Sequence, residues 1–309
     1  TVLSSRATSH SQPAPPSDSS LEYLVVGQVT VDRVDDRRVV LGGTATYAAL
    51  TVANLGVRVG IHTSAAYEPG LVNPLSVHGI RVARIPAEYS TCFVNQYLED
   101  GTRQQTIESV AEPLTYEQFL PEWRHPPVVH LGALCQEMDP ALVERFPRSL
   151  VGVTPQGWLR AWGKDGVVRQ VEWADADRVL ARADAVVVSE RDAENPAIFR
   201  QWARKARLLV VTLGERGCDA YKHGEDDPYH SPAFVPAQEV DPTGAGDVFA
   251  AAYFWHLHQT GNWREAADWA NCVASFAVER LGIAGVPKLE DVMKRWRSGA
   301  RRGAGVSAP

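Results

Sequence analysis

The stretch Asp241-Pro242-Thr243-Gly244-Ala245-Gly246-Asp247, continued by Val248-Phe249-Ala250-Ala251-Ala252-Tyr253-Phe254-Trp255, decides how the chain is read. Two glycines and an alanine lead into a long apolar segment with one acid at its start. A glycine-rich turn at a helix N-terminus presents several backbone N–H groups at the positive end of the helix dipole, which makes an anion site. Such donors suit the charge that develops on a transferring phosphoryl group. Asp247 falls in the first turn, where a carboxylate is favoured and can take a proton as a base. The segment behind it is apolar almost all round, so it reads as a buried helix that fixes the turn in place. The same residues also fit a plain helix start, with glycine for packing and Asp247 as a cap.

Elsewhere, short apolar runs alternate with helical patterns. Leu24–Val26, Val128–Leu131, Val151–Val153, Ala185–Val188 and Leu208–Val211 are apolar on both faces. That reads as strands of a parallel sheet covered on both sides. Asp139-Pro140 and Asn195-Pro196 each place a cap and then a proline ahead of a helical pattern. Alternating strand and helix gives an α/β layered fold. From about Ile80 to Leu114 the chain instead alternates polar and apolar, is rich in β-branched and aromatic residues, and turns at Glu99-Asp100-Gly101. This predicts an antiparallel insertion, a small sheet standing off the main domain. No internal repeat is present.

The chain has 309 residues, 45% hydrophobic and 22% charged, which is globular composition with enough apolar material for a sizeable core. Lys and Arg number 31 against 37 Asp and Glu, a net charge of -6, which argues against nucleic acid as a partner. No run approaches the roughly 18 apolar residues of a transmembrane helix, so no membrane partner is expected. Four scattered cysteines, Cys92, Cys135, Cys218 and Cys272, form no C-x-x-C pair, and a reducing cytoplasm is the default location. Residues 1–20 are rich in Ser and Pro and are expected to be disordered. They lack the apolar centre of a secretory signal and carry one Arg, too few for a transit peptide. A folded unit is expected over 21–298, with a flexible basic tail over 299–309.

Three weaker patterns accompany the first. Gly42-Gly43 opens a helix of small residues, Thr44-Ala45-Thr46-Tyr47-Ala48-Ala49, that Gly56 stops. It serves either close approach to a ligand or tight packing on the sheet. Asp32 follows the Leu24–Val26 run and would lie at the carboxyl edge of the sheet, where α/β proteins bind ligands. Thr212-Leu213-Gly214-Glu215-Arg216-Gly217 is another strand end with glycines. No Walker A loop, G-x-G-x-x-G, H-E-x-x-H or G-x-S-x-G occurs. His256 and His258 stand two apart on a helix and cannot chelate together.

With these segments in this order, the chain resembles the PfkB/ribokinase family of sugar and nucleoside kinases, from about Leu21 to Val286. Asp241–Asp247 is close to that family's second signature. Gly42–Gly56 resembles the first, and Val210–Cys218 and Ala270–Ala274 are supporting matches. The resemblance implies a three-layer ribokinase-like sandwich with a mostly parallel central sheet and a small antiparallel β lid, drawn mainly from about 80–114. It implies Asp247 as the base for an acceptor hydroxyl, with the N–H groups of Gly244, Ala245 and Gly246 as the anion hole. Asp32 and Gly43 would hold acceptor hydroxyls. Thr212, Gly214, Gly217 and Asn271 would line the nucleotide site, and Mg²⁺ would arrive with ATP. A monovalent cation and a homodimer paired through the lids stay open.

Three positions depart from the family. Tyr47 stands where an Asn is usual, offering a flat ring to the acceptor or packing in the seam between lid and core. Ser189-Glu190-Arg191-Asp192 replaces Asn-x-x-Glu, leaving Asp192 to act on Mg²⁺ through water. Thr154-Pro155-Gln156-Gly157-Trp158-Leu159-Arg160 replaces Asp-Pro-Asn-x-Arg. The expected activity is transfer of the ATP γ-phosphoryl group to a hydroxyl of a sugar, polyol or cyclitol. A nucleoside kinase of the same family and a non-catalytic ligand-binding relative are the alternatives. A dinucleotide-dependent oxidoreductase fits the α/β pattern but lacks the fingerprint.

Overall fold

The computed structural model describes residues 20–33, 39–97 and 103–301. The expected disordered segment before Ser20, the turn Glu99-Asp100-Gly101 and the tail beyond Arg301 lie outside the described residues. The first strand, β1 (Tyr23–Val26), is buried along its whole length. Tyr23 and Val25 enter one apolar core, and Leu24 and Val26 enter a second on the opposite face. Alternate side chains of a strand point to opposite faces, so a strand apolar at every position needs cover on both.

Around β1 the chain adds β2 (Thr30–Arg33), β3 (Val39–Gly42), β4 (Val59–Ala65), β5 (Arg81–Pro86), β6 (Cys92–Tyr97) and β7 (Arg103–Ser109). Next come β8 (Val128–Gly132), β9 (Leu150–Thr154), β10 (Arg160–Trp162), β11 (Val168–Gln170) and β12 (Ala185–Ser189). β13 (Leu208–Thr212), β14 (Cys218–Lys222) and β15 (Tyr229–Ser231) complete the strands. The main sheet runs β15-β14-β13-β12-β9-β8-β1-β4-β5, parallel from β13 to β5 and antiparallel at β14 and β15. One face carries α1 (Thr44–Asn54), α5 (Ala245–Thr260) and α6 (Trp263–Ala277). The other carries α3 (Ala176–Arg182) and α4 (Ala197–Lys205) with Phe119, Trp123 and Phe146. The remaining helices are α2 (Pro69–Val77) and α7 (Leu289–Ser298). This is the expected three-layer α/β sandwich. Among the described residues no helix is long and apolar enough to cross a membrane.

The lid differs in extent from the expectation. Arg81–Pro86 pairs in parallel with β4 and belongs to the main sheet, so the insertion begins at Cys92 rather than near residue 80. The lid is a four-stranded sheet, β3-β2-β6-β7, and β2 with β6 is a parallel pair inside it. An alternating pattern shows that one face of a strand is buried, not which sheet it joins. A hairpin the sequence did not announce, β10 with β11, abuts the lid's outer strand. Ile107 N–H donates to Gly166 O at 2.9 Å, and Trp162 and Val168 pack on Phe93, Ile107, Leu134 and Cys135.

The helix expected after Asp139-Pro140 is a 3₁₀ stretch, Pro140–Arg145. Asp139 does cap it, accepting Ala141 N–H at 2.7 Å. Pro147 follows closely, and the residue before a proline is pushed out of the helical region, so too few residues remain to propagate an α-helix. The pattern after Asn195-Pro196 does form α4, with Asn195 Oδ1 accepting Ala197 N–H at 3.0 Å.

Candidate active site

The turn ahead of α5 is built from both ends. Asp241 Oδ1 accepts Thr243 N–H at 3.0 Å and its Oδ2 accepts Gly282 N–H at 3.1 Å. Gly244 caps α5 in the left-handed region, φ 78°. A Cβ there would come within 2.4 Å of the Tyr47 ring, so both conformation and packing require glycine. Gly246 is different. Its backbone is not left-handed, it is exposed, and an added Cβ would meet nothing within 4 Å. Glycine inside a helix costs about 0.5–1 kcal/mol relative to alanine. Nothing in the fold repays that cost at Gly246, and its bare backbone faces open space at the N-terminus of α5.

Asp247 sits beside this opening. It accepts a hydrogen bond from the Thr44 hydroxyl. The protein packed around it pushes its carboxyl up to about 6; the Thr44 bond and the nearby Arg160 charge oppose that rise, and Asp192 and Asp32 add to it. A carboxylate with such a value is ionised at neutral pH and is a stronger proton acceptor than a free one.

The start of α1 brings the residues expected on the acceptor side to the same place. Gly43 has φ 87°, and a Cβ there would lie 2.3 Å from Gln28 O. Gly42 lies against the Asp32 carboxylate, 2.7 Å from an added Cβ to Oδ2. Asp32, on β2 of the lid, accepts the Thr30 hydroxyl at 2.9 Å. Asp32, Gly43, Thr44 and Asp247 are thus gathered from the lid root, α1 and α5. Tyr47 is also here, but only 3% exposed, with its ring under Gly244. Burial and the charges of Asp241, Asp247 and Asp32 hold its phenol protonated. The ring packs beneath the turn before α5, its face against Gly244, which is the packing alternative expected for this position.

On the other side, Thr212 ends β13 and donates its hydroxyl to Val188 O at 3.3 Å. Gly214 has φ 60° and open space around its Cβ position. Gly217, φ 97°, is pressed on β15, where a Cβ would lie 2.0 Å from Ser231 O. Asn271 was expected to line this wall, but its amide nitrogen is spent on Ser231 O at 2.9 Å and Ser231 Oγ at 2.8 Å. It braces the wall from behind, because α6 carries it into the core. Asp192 Oδ2 accepts Ser189 N–H at 2.8 Å, and its carboxylate also bonds Gln156. Burial raises its pKa, and the Arg160 charge opposes the rise.

Three residues of the cluster stand within longer stretches read in the sequence but are given no role of their own there: Thr44, Gln156 and Arg160. The first signature ends its glycines at Gly43, and nothing local marks the next hydroxyl as aimed at α5. Arg160 is presented by the unannounced hairpin. Among the described residues no three His, Cys, Asp or Glu side chains gather as a metal cage. A cavity of about 970 Å³ lies elsewhere, between α7, the end of α6 and Leu50, and shares no residue with the Asp247 cluster.

A kinase of the ribokinase architecture is what this sheet, lid and glycine-turn site define. Residues 157–289 match the pfkB family carbohydrate kinases. The chain is 30% identical over 289 residues to an inositol 3-kinase of Zea mays, covering 85% of this chain and 73% of the relative. A pyrophosphate-dependent kinase in the ribokinase family superposes with TM-score 0.74 at 21% identity, covering 88% of this chain and 99% of that one. Arabidopsis thaliana ribokinase complexed with ribose and ATP superposes with TM-score 0.69 at 19% identity, covering 90% and 99%. The chain belongs to the PfkB family of carbohydrate kinases, and it is a phosphotransferase with an alcohol group as acceptor.

Proposed function

We propose that the protein transfers the γ-phosphoryl group of ATP to a ring hydroxyl of a cyclitol or sugar. The observation that carries the reading is Gly246: an open, helix-penalised glycine on the anion turn, next to a carboxyl held near 6. In this reading Asp32 and Gly43 hold acceptor hydroxyls. Asp247 takes the proton of the attacking hydroxyl. The acceptor oxygen forms a bond to the γ-phosphorus as the bond from that phosphorus to the bridging oxygen breaks, and ADP leaves with the electron pair. The N–H groups of Gly244, Ala245 and Gly246 take up the charge on the phosphoryl oxygens. Thr212, Gly214 and Gly217 line the donor side.

The residues fit a donor-borne Mg²⁺. Asp192 lies within electrostatic reach of Asp247, already holds a backbone N–H and a Gln156 bond, and so suits contact through water more than direct ligation. When bound, the ion neutralises phosphate charge. The inositol kinase relative favours a cyclitol among acceptors. The test is a panel with MgATP or Mg-pyrophosphate as donor and an inositol, a ketohexose, ribose and a pyrimidine nucleoside as acceptors, read by mass spectrometry of the product. Phosphorylated cyclitol or sugar with ATP is expected. Turnover with pyrophosphate alone, or with the nucleoside alone, overturns the donor or the acceptor assignment.

A further inference from the structure

The end of the described chain does not behave as the flexible tail expected from residue 299. Ala300 and Arg301 lie along Phe234 and Val235. Val235 N–H donates to Ala300 O at 3.0 Å, and Phe234 and Arg301 form an antiparallel bridge. The Arg301 guanidinium stands 5.1 Å from the centre of the Phe234 ring and bonds Asp268 Oδ1 at 3.0 Å. Both charged side chains are mostly covered, 26% and 16% exposed.

Asp268 is a junction. Its carboxylate also accepts the Ser231 hydroxyl at 2.6 Å and the Tyr229 hydroxyl at 3.0 Å. Tyr229 and Ser231 are the two ends of β15, a three-residue edge strand held in the sheet by β14 alone. Ser231 in turn receives the Asn271 amide, and its carbonyl is the surface on which Gly217 rests. The path from Arg301 to the Gly214–Gly217 turn therefore runs through two side chains and one backbone contact. A short edge strand has too few ladder bonds to fix its own position, so these side-chain ties set it.

We propose that Arg301 is a positioning residue for the donor, acting through Asp268 and Ser231 on the Gly214–Gly217 turn. The inference rests on the donor assignment made above. It names the half of the donor that is affected: the nucleoside end, since the phosphoryl end is held separately by the turn before α5. Loss of Arg301 leaves a mostly covered carboxylate without its cation and frees β15 to shift, which loosens donor binding without touching the chemical step.

The experiment compares the full chain with Arg301→Ala, Arg301→Lys and Asp268→Asn, measuring KM for ATP, KM for the acceptor, kcat and Tm. Arg301→Ala is expected to raise the KM for ATP about tenfold, with acceptor KM and kcat within about twofold. Arg301→Lys keeps the charge and is expected to recover most of the loss even if the alanine variant folds poorly. An unchanged KM for ATP in the folded variants, or donor and acceptor constants that move together in step with Tm, overturns the inference. A wild-type protein that uses pyrophosphate and no nucleoside triphosphate instead overturns the donor reading on which it rests.

Discussion

Two glycine turns open two helices in this protein, and their glycines are there for different reasons. At α1, Gly43 is left-handed and pressed on Gln28 O, and Gly42 is pressed on the Asp32 carboxylate. Both are needed to let chain segments touch. At α5, Gly244 is of the same kind, left-handed and covered by the Tyr47 ring. Gly246, two residues on, is neither left-handed nor crowded. Glycine-rich turns are thus not uniform. A glycine that the fold requires lets chain segments touch, whereas the proposed function gives the one that the fold does not require the task of leaving room for a phosphoryl group.

The contrast is broken most severely at the acid beside the second turn. Asp247→Asn is expected to lower kcat by about 10²–10⁴, the scale of losing a general base. The same change should raise Tm near neutral pH. Because the folded carboxyl is held near 6, above its unfolded value, the folded state binds the proton more tightly. Its ionisation therefore costs stability at pH 7, and stability is regained as pH falls through about 6. Wild-type kcat with the true acceptor would remove Asp247 from the base role, and a lowered Tm would contradict the raised carboxyl.

The glycines themselves sharpen the comparison. Gly244→Ala is expected to cost more than about 1 kcal/mol of stability, since it strains the backbone and strikes the Tyr47 ring. Gly246→Ala is expected to stabilise the fold by about 0.5–1 kcal/mol while lowering kcat/KM at least about tenfold. Opposite signs of the Tm change, measured by calorimetry beside the kinetics, separate the two glycines. Equal destabilisation would show that both only pack.

Two further effects follow. The acceptor kcat/KM should fall about tenfold per pH unit below the Asp247 value near 6, because the protonated acid cannot take the hydroxyl proton. An acid limb that persists unchanged in Asp247→Asn would trace the profile to another group. Tyr47→Asn should lose about 3 kcal/mol through the cavity left under Gly244. Tyr47→Phe keeps the ring and should change neither Tm nor acceptor rank order. A changed rank order in Tyr47→Phe would restore the phenol as an acceptor contact.

Local chemistry was legible where one segment did everything itself. Leu24–Val26, Ala185–Val188 and Leu208–Val211 are apolar at every position, and only a sheet covered on both faces buries them. Asp241–Asp247 holds its glycines, its acid and its helix within one run, so the sequence by itself determined the glycine turn and the acid beside it. What depends on meeting a distant segment was not legible. Thr44 reaches Asp247 only because α1 and α5 lie side by side on one face of the sheet. Tyr47 is covered because α1 brings its ring under Gly244, and Asn271 is turned inward because α6 carries it behind β15. Arg81–Pro86 reads the same whether it joins the lid or the main sheet, and pairing with β4 decides it. Periodicity and turn chemistry fix what a segment becomes. Which neighbour it meets is set by long-range packing, and that packing alone decided which side chains share the site.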